Sequence, residues 1–273
     1  MEPQLSYAYA VVRASDPPDP PWSATVSGVS GVAGGAVRSV SAGRVAAVVS
    51  SVAEADFGET ALKAHLEDLD WLEGVARAHH AVVEAVAAHT TVLPLRLATV
   101  YLDDDRVREV LRRGEEAFTA ALERLTGAVE WGVKVYAQPP VAPAETAVRG
   151  DAVEALDPGR SYLRSRRRER SSREVTWAAA TEAVRRIDAE AGALALDRAR
   201  HRPQQGRLAD VEGVPGENVA NDAYLVPLER AEEFQERVRR SAAGLEGVRV
   251  EITGPWAPYS FAVLPAPAGA DDR

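Results

Sequence analysis

Histidines and carboxylates at helical spacing are the first residues in this chain able to do chemistry. His79, His80, Glu84 and His89 share one helix-like stretch, and His80 with Glu84 stand one turn apart, a spacing that could hold a metal ion. No HExxH motif accompanies them and the fifth histidine, His201, is remote in sequence, so a solvated or partner-facing helix surface is the better reading. Asp103, Asp104 and Asp105 would suit calcium only if further oxygen ligands followed at loop spacing; they open a helix instead, where carboxylates cap free amides. The glycines from Gly28 to Gly35 lack the Gly-Lys-Ser/Thr ending of a phosphate loop and the spacing of a dinucleotide fingerprint, which leaves a mobile surface loop. No Gly-x-Ser-x-Gly elbow occurs, nor any serine and histidine pattern that suggests a triad. The residues thus point to no enzyme, no cofactor and no metal.

Two distinctive stretches remain. Arg160 to Arg173, RSYLRSRRRERSSR, is the densest basic run. A basic helix face can engage phosphates with strong salt dependence. Alternatively, Tyr162 and Leu163 anchor one face while arginines such as Arg166 lie in water, pair with Glu169 and Glu174, or meet an acidic partner. The other stretch, Gly254 to Phe261 (GPWAPYSF), is stiffened by two prolines and loaded with apolar area by Trp256, Tyr259 and Phe261. It either closes the core of its own domain or offers a fixed hydrophobic contact to a partner.

The elements that must position these residues follow from periodicity and punctuation. Leu5 to Arg13 reads as an opening strand, and Ala36 to Val40 with Arg44 to Val52 as a hairpin. Between them the proline- and glycine-rich stretch from Asp16 is a loop. Helical spacing covers Glu59 to Leu72 and Glu73 to His89, with Gly74 a candidate kink, and Asp103 to Leu125. Thr91 to Tyr101 is strand-like around Pro94. In the second half, strand 129–137, a helix over about 160–199, strands near 206–212 and at 218–227, helix 229–244 and strand 248–254 run in the order β-α-β-β-α-β. Leu228, Phe234, Val238 and Leu245 mark the inward face of the last helix. The expected fold class is α+β with two domains. Residues 1–127 form a modified α+β sheet-and-helix domain, 128–264 a ferredoxin-like domain, and 265–273 a disordered tail.

Composition narrows the field further. The 273 residues carry a net charge of −9, which disfavours general affinity for nucleic acid or an anionic membrane. Zero cysteines exclude disulfides and thiolate chemistry. No apolar run approaches the roughly 20 residues needed to cross a bilayer, and no secretory leader is visible, so a cytoplasmic protein is expected.

GPWAPYSF, with NDAYLVPL at 221–228, GRSYLRSRRR at 159–168, LTGAVEWGVKVY at 125–136, TVLPLRLATVY at 91–101 and the opening LSYAYAVVR, resembles the gas vesicle protein F/L family from about residue 5 to 261. Leu97 and Ala98 depart from the Phe-Gly common in that family, and Ala257 from a proline, which touches local turn geometry at each site. The resemblance implies an accessory or minor structural protein of gas vesicles, associated with the vesicle and without enzyme activity. It implies contact with the small hydrophobic shell protein of the GvpA type and with other accessory proteins. Candidate contact residues are Trp256, Tyr259 and Phe261, with Tyr162 and Arg166 as a rim. The competing reading is a nucleic-acid-binding regulator that uses Arg160 to Arg173.

Overall fold

The computed structural model describes residues 3–14, 26, 28–65, 67–138, 158–203 and 216–263, the side chains of 158–165, 168 and 169 excepted. These fall into two compact units, Met1–Glu130 with Pro255–Arg273, and Trp131–Gly254. Against the expectation of one continuous domain over 128–264, the segment from Pro255 belongs to the first unit.

In the first unit, β1 (Gln4–Arg13) pairs antiparallel with β3 (Val45–Ala53), and β3 with β2 (Arg38–Ala42), the hairpin expected from sequence. Two short strands, β4 (Leu93–Pro94) and β5 (Val100–Tyr101), border the other side of β1. They replace the single strand expected over 91–101, because the chain turns at Ala98 with φ 61°. A bulge between Ala8 and Ala10 interrupts the register of β1 with β3. Tyr7 and Tyr9 join the core beneath the helix Leu69–Ala87, while Ala8 and Val11 line the opposite side with Val107, Leu111 and Phe118. With both faces covered, Leu5 to Val12 are buried without interruption.

Three helices follow β3: α1 (Glu54–Phe57), α2 (Glu59–His65) and α3 (Leu69–Ala87). The break expected at Gly74 lies instead before α3, where Asp68 caps the helix by accepting from the Asp70 and Trp71 amides at 3.0 and 3.1 Å. Gly74 continues within α3. Helix α4 (Asp104–Leu125) is capped by Asp103, which accepts from the Arg106 amide at 2.7 Å, so the aspartates begin a helix as expected. Its buried Val107, Leu111, Phe118, Leu122 and Leu125 form one stripe.

In the second unit, β6 (Ala128–Ala137), α5 (Pro158–Gly192), β7 (Asp197–His201), β8 (Glu217–Pro227), α6 (Ala231–Ser241) and β9 (Val248–Trp256) build a four-stranded sheet in the order β7-β8-β6-β9. Strands β6 and β9 each begin or end in the first unit. Helix α5 stops at Gly192, short of the expected 199. The strand found is β7, and the strand expected near 206–212 lies outside the described residues. Polar composition hid β7: Arg198 is held by Asp188 at 2.7 Å and Asp222 at 2.9 Å, with its guanidinium 5.5 Å from the Tyr224 ring centroid. On α6, Phe234 and Val238 are buried as expected, but Leu228 precedes the helix in a 3-10 turn and is largely exposed.

Candidate functional site

The GPWAPYSF stretch earns attention first because it is anchored at several points. Ala257 packs into the first unit's core and Phe261 is 3% exposed. The Glu130 carboxylate accepts from the Ser260 amide at 2.8 Å and the Ser260 hydroxyl at 2.6 Å. Arg124 donates to the Phe261 carbonyl at 2.7 Å. Together with φ restriction at Pro255 and Pro258, these bonds fix the segment's path. Phe261 is therefore a packing residue, contrary to its expected place on a contact surface.

Trp256 and Tyr259 remain 38% and 37% exposed. Both approach His80, with ring centroids at 5.5 and 6.2 Å, and His80 Nε2 lies 3.1 Å from Glu84 Oε1. The result is a fixed aromatic surface, formed by Trp256, Tyr259 and His80, with a carboxylate beside it. Burial, reinforced by Glu84, pushes the Tyr259 phenol up, so it stays a neutral hydroxyl although part of the residue meets water.

His79, one residue away, has a different role from the surface position expected for it. It is 2% exposed, and its Nδ1 lies 3.0 Å from the Tyr7 hydroxyl. That hydroxyl also accepts from the Ala98 amide at 3.0 Å. Burial lowers the His79 imidazole to about 4, with the Leu95 carbonyl opposing and His80 adding to the shift. Nε2 makes no hydrogen bond of ordinary geometry, which suits a neutral ring. The glycine stretch is likewise structural rather than a mobile loop. Val32 is fully buried and its amide donates to the Tyr9 hydroxyl at 2.7 Å. A Cβ on Gly31 would stand 2.7 Å from that hydroxyl, so glycine is what the close approach requires.

Chemically, this surface offers apolar area and hydrogen bonds. Among the described residues no group of three or more side chains could hold a metal ion. His89 is exposed at the end of α3. Of the other sequence-derived candidates, Arg166 is exposed on α5 in the second unit, where Arg167, Arg170, Arg173 and Glu174 share one open depression with it. Tyr162 lies on the same helix with its side chain outside the described residues. The Glu130 clamp and the His80 floor were not foreseen as parts of the site. A buried carboxylate near the start of a strand whose only other charged residue is Lys134 was the available signal for Glu130.

Fold and surface together define a mixed α+β protein with two sheets built on antiparallel pairing and an aromatic surface held on a rigid segment. The chain belongs to the family of gas vesicle synthesis proteins GvpL/GvpF, whose pattern it matches over residues 5–263. It is 48% identical over 260 residues to gas vesicle protein L of Streptomyces sp. (strain CB03234), covering 95% of this chain and 93% of that one. Gas vesicle protein F of the same strain is 28% identical, covering 94% and 98%. The fold resembles the crystal structures of GvpF from Anabaena sp. PCC7120 (TM-score 0.64, 19% identity, 96% of this chain and 97% of that one) and from Microcystis aeruginosa (TM-score 0.59, 17% identity, 95% and 99%). Family membership assigns the chain to gas vesicle organisation and assembly. No helix among the described residues is long and apolar enough to cross a membrane.

Proposed function

We propose that this protein binds the small hydrophobic shell protein of the GvpA type and assists nucleation or assembly of the vesicle, in the cytoplasm and in association with the growing vesicle. The observation that carries the reading is the exposure of Trp256 and Tyr259 on a segment otherwise clamped by Glu130 and Arg124. Half-exposed aromatics on a rigid support lose little conformational freedom on binding and dominate interface energies when desolvated. A shell subunit rich in apolar surface needs such a contact to remain unaggregated before assembly. Tyr162 and Arg166 on α5 are assigned a supporting role toward the same partner or toward other accessory proteins.

The second unit is read as a ferredoxin-like domain, a reading supported by its β-α-β-β-α-β element order and its strand order β7-β8-β6-β9. Nucleic-acid binding by Arg160–Arg173 finds no support, since the relatives named above are gas vesicle proteins and the chain is acidic.

Capture of co-expressed shell protein by the purified chain, at moderate and at high salt, tests the proposal. Salt-resistant co-purification is expected of an apolar interface. Capture that vanishes at high salt, or equals that of an unrelated acidic control, overturns it.

A further inference from the structure

Arginines on the helices of this protein are commonly matched by an acid one turn away. Arg185 and Arg186 share Glu182 at 2.8 Å, Arg237 meets Glu233 at 2.7 Å, and Arg113 and Arg240 pair with Glu109 and Glu236. Part of α5 breaks that habit. Arg167, Arg170, Arg173 and Trp177 recur at i, i+3, i+6 and i+10, which places them along one side of the helix, and all four are exposed. Arg167, Arg170 and Arg173 have no ion-pair partner among the described residues. Trp177 keeps 42% of its surface in water at the end of the stripe.

The first unit carries the complementary surface. Between positions 54 and 73, Glu54, Asp56, Glu59, Glu67, Asp68, Asp70 and Glu73 are all exposed, against a single lysine, Lys63, which is already paired with Glu59 at 2.7 Å. Leu69, at the start of α3, is 78% exposed within this run. One surface thus offers the guanidinium groups of Arg167, Arg170 and Arg173 beside an exposed indole, and the other the carboxylates of Glu67 and Asp70 beside an exposed leucine, while Glu59 and Glu73 are matched by Lys63 and Arg77.

We propose that the arginine stripe of α5 binds the acidic run 54–73 of a second copy of this chain, with Trp177 and Leu69 as its apolar anchors. The two surfaces differ, so the contact is head to tail and repeats from copy to copy, forming an open chain unless its rotation closes a ring. Arginine forks facing carboxylates supply orientation and on-rate, and the desolvated indole supplies much of the retention. Through such a contact an assembly protein could array along a growing shell.

Sedimentation velocity of the purified full chain over a concentration series tests this. At roughly 50 mM salt the weight-average mass should rise with concentration, and at about 500 mM it should return to that of the monomer. Arg167→Glu with Arg170→Glu and Arg173→Glu should weaken association at least tenfold, as should Glu67→Lys with Asp70→Lys; Asp68 is left in place because it caps α3. Mixing the two charge-reversed proteins should restore association, since each then presents what the other lacks, while circular dichroism verifies that both are folded. A wild-type monomer at low salt, or a mixture no more associated than its components, overturns the proposal. So does reversal of the stripe abolishing association while reversal of the acidic run does not, which would give the stripe to a different acidic surface of the same chain.

Discussion

Neighbouring histidines on α3 show how one residue of helical phase separates structure from surface. His79 belongs to the buried series Val75, His79, Val82, Val83 and Val86, whereas His80 is rotated about 100° away, toward Trp256 and Tyr259. That series was visible in the sequence, but the histidine was grouped with its polar neighbours instead of with the valines. Because burial depresses the His79 imidazole from 6.5 to about 4, the unfolded chain takes up its proton before the folded one does. This contribution to stability is complete above pH 6.5 and is lost as pH falls toward 4. Between pH 7.5 and 5 the wild type should lose about 2 kcal/mol more unfolding free energy than His79→Phe, as read by urea melts. Equal losses in the two proteins would show that His79 is not held neutral. Ala98 holds φ 61°, a conformation that costs a side-chain-bearing residue roughly 1 kcal/mol. Ala98→Gly should therefore raise stability by about 0.5–1 kcal/mol, and a lowered melting temperature would contradict that account.

Among the elements, legibility followed apolar periodicity. The alternation through Val133 and Val135 identified β6, and the Val107 to Leu125 stripe identified α4, because in both the buried positions are apolar. Strand β7 escaped because DRARH has no apolar alternation; its place is secured by Arg198 bridging Asp188 and Asp222. The closing segment was recognised as a distinctive plug, but its attachment depends on Glu130 and Ser260, 130 residues apart, which no local pattern reveals. Glu130→Ala removes an acceptor of two hydrogen bonds and should cost about 1–3 kcal/mol. Faster hydrogen exchange at the Ser260 amide should accompany the loss while exchange in β8 stays unchanged. Unaltered Ser260 exchange would mean that the clamp does not hold the segment.

For the whole molecule, the family was legible because several short stretches recur in order along the chain, although none of them specifies a contact surface. The aromatic surface emerged only when folding buried Phe261 and left Trp256 and Tyr259 exposed beside His80. Net charge supplied a complementary constraint: an acidic chain with exposed arginines grouped on α5 is poorly suited to general nucleic-acid binding and well suited to specific acidic contacts. The most direct test of the central claim is the equilibrium affinity of purified shell protein for the wild type and for the Trp256→Ala, Tyr259→Ala double variant, with thermal melts recorded alongside. The account predicts at least a tenfold loss of affinity, about 1.4 kcal/mol or more, with the melt nearly unchanged. Undiminished affinity in a folded double variant would contradict it.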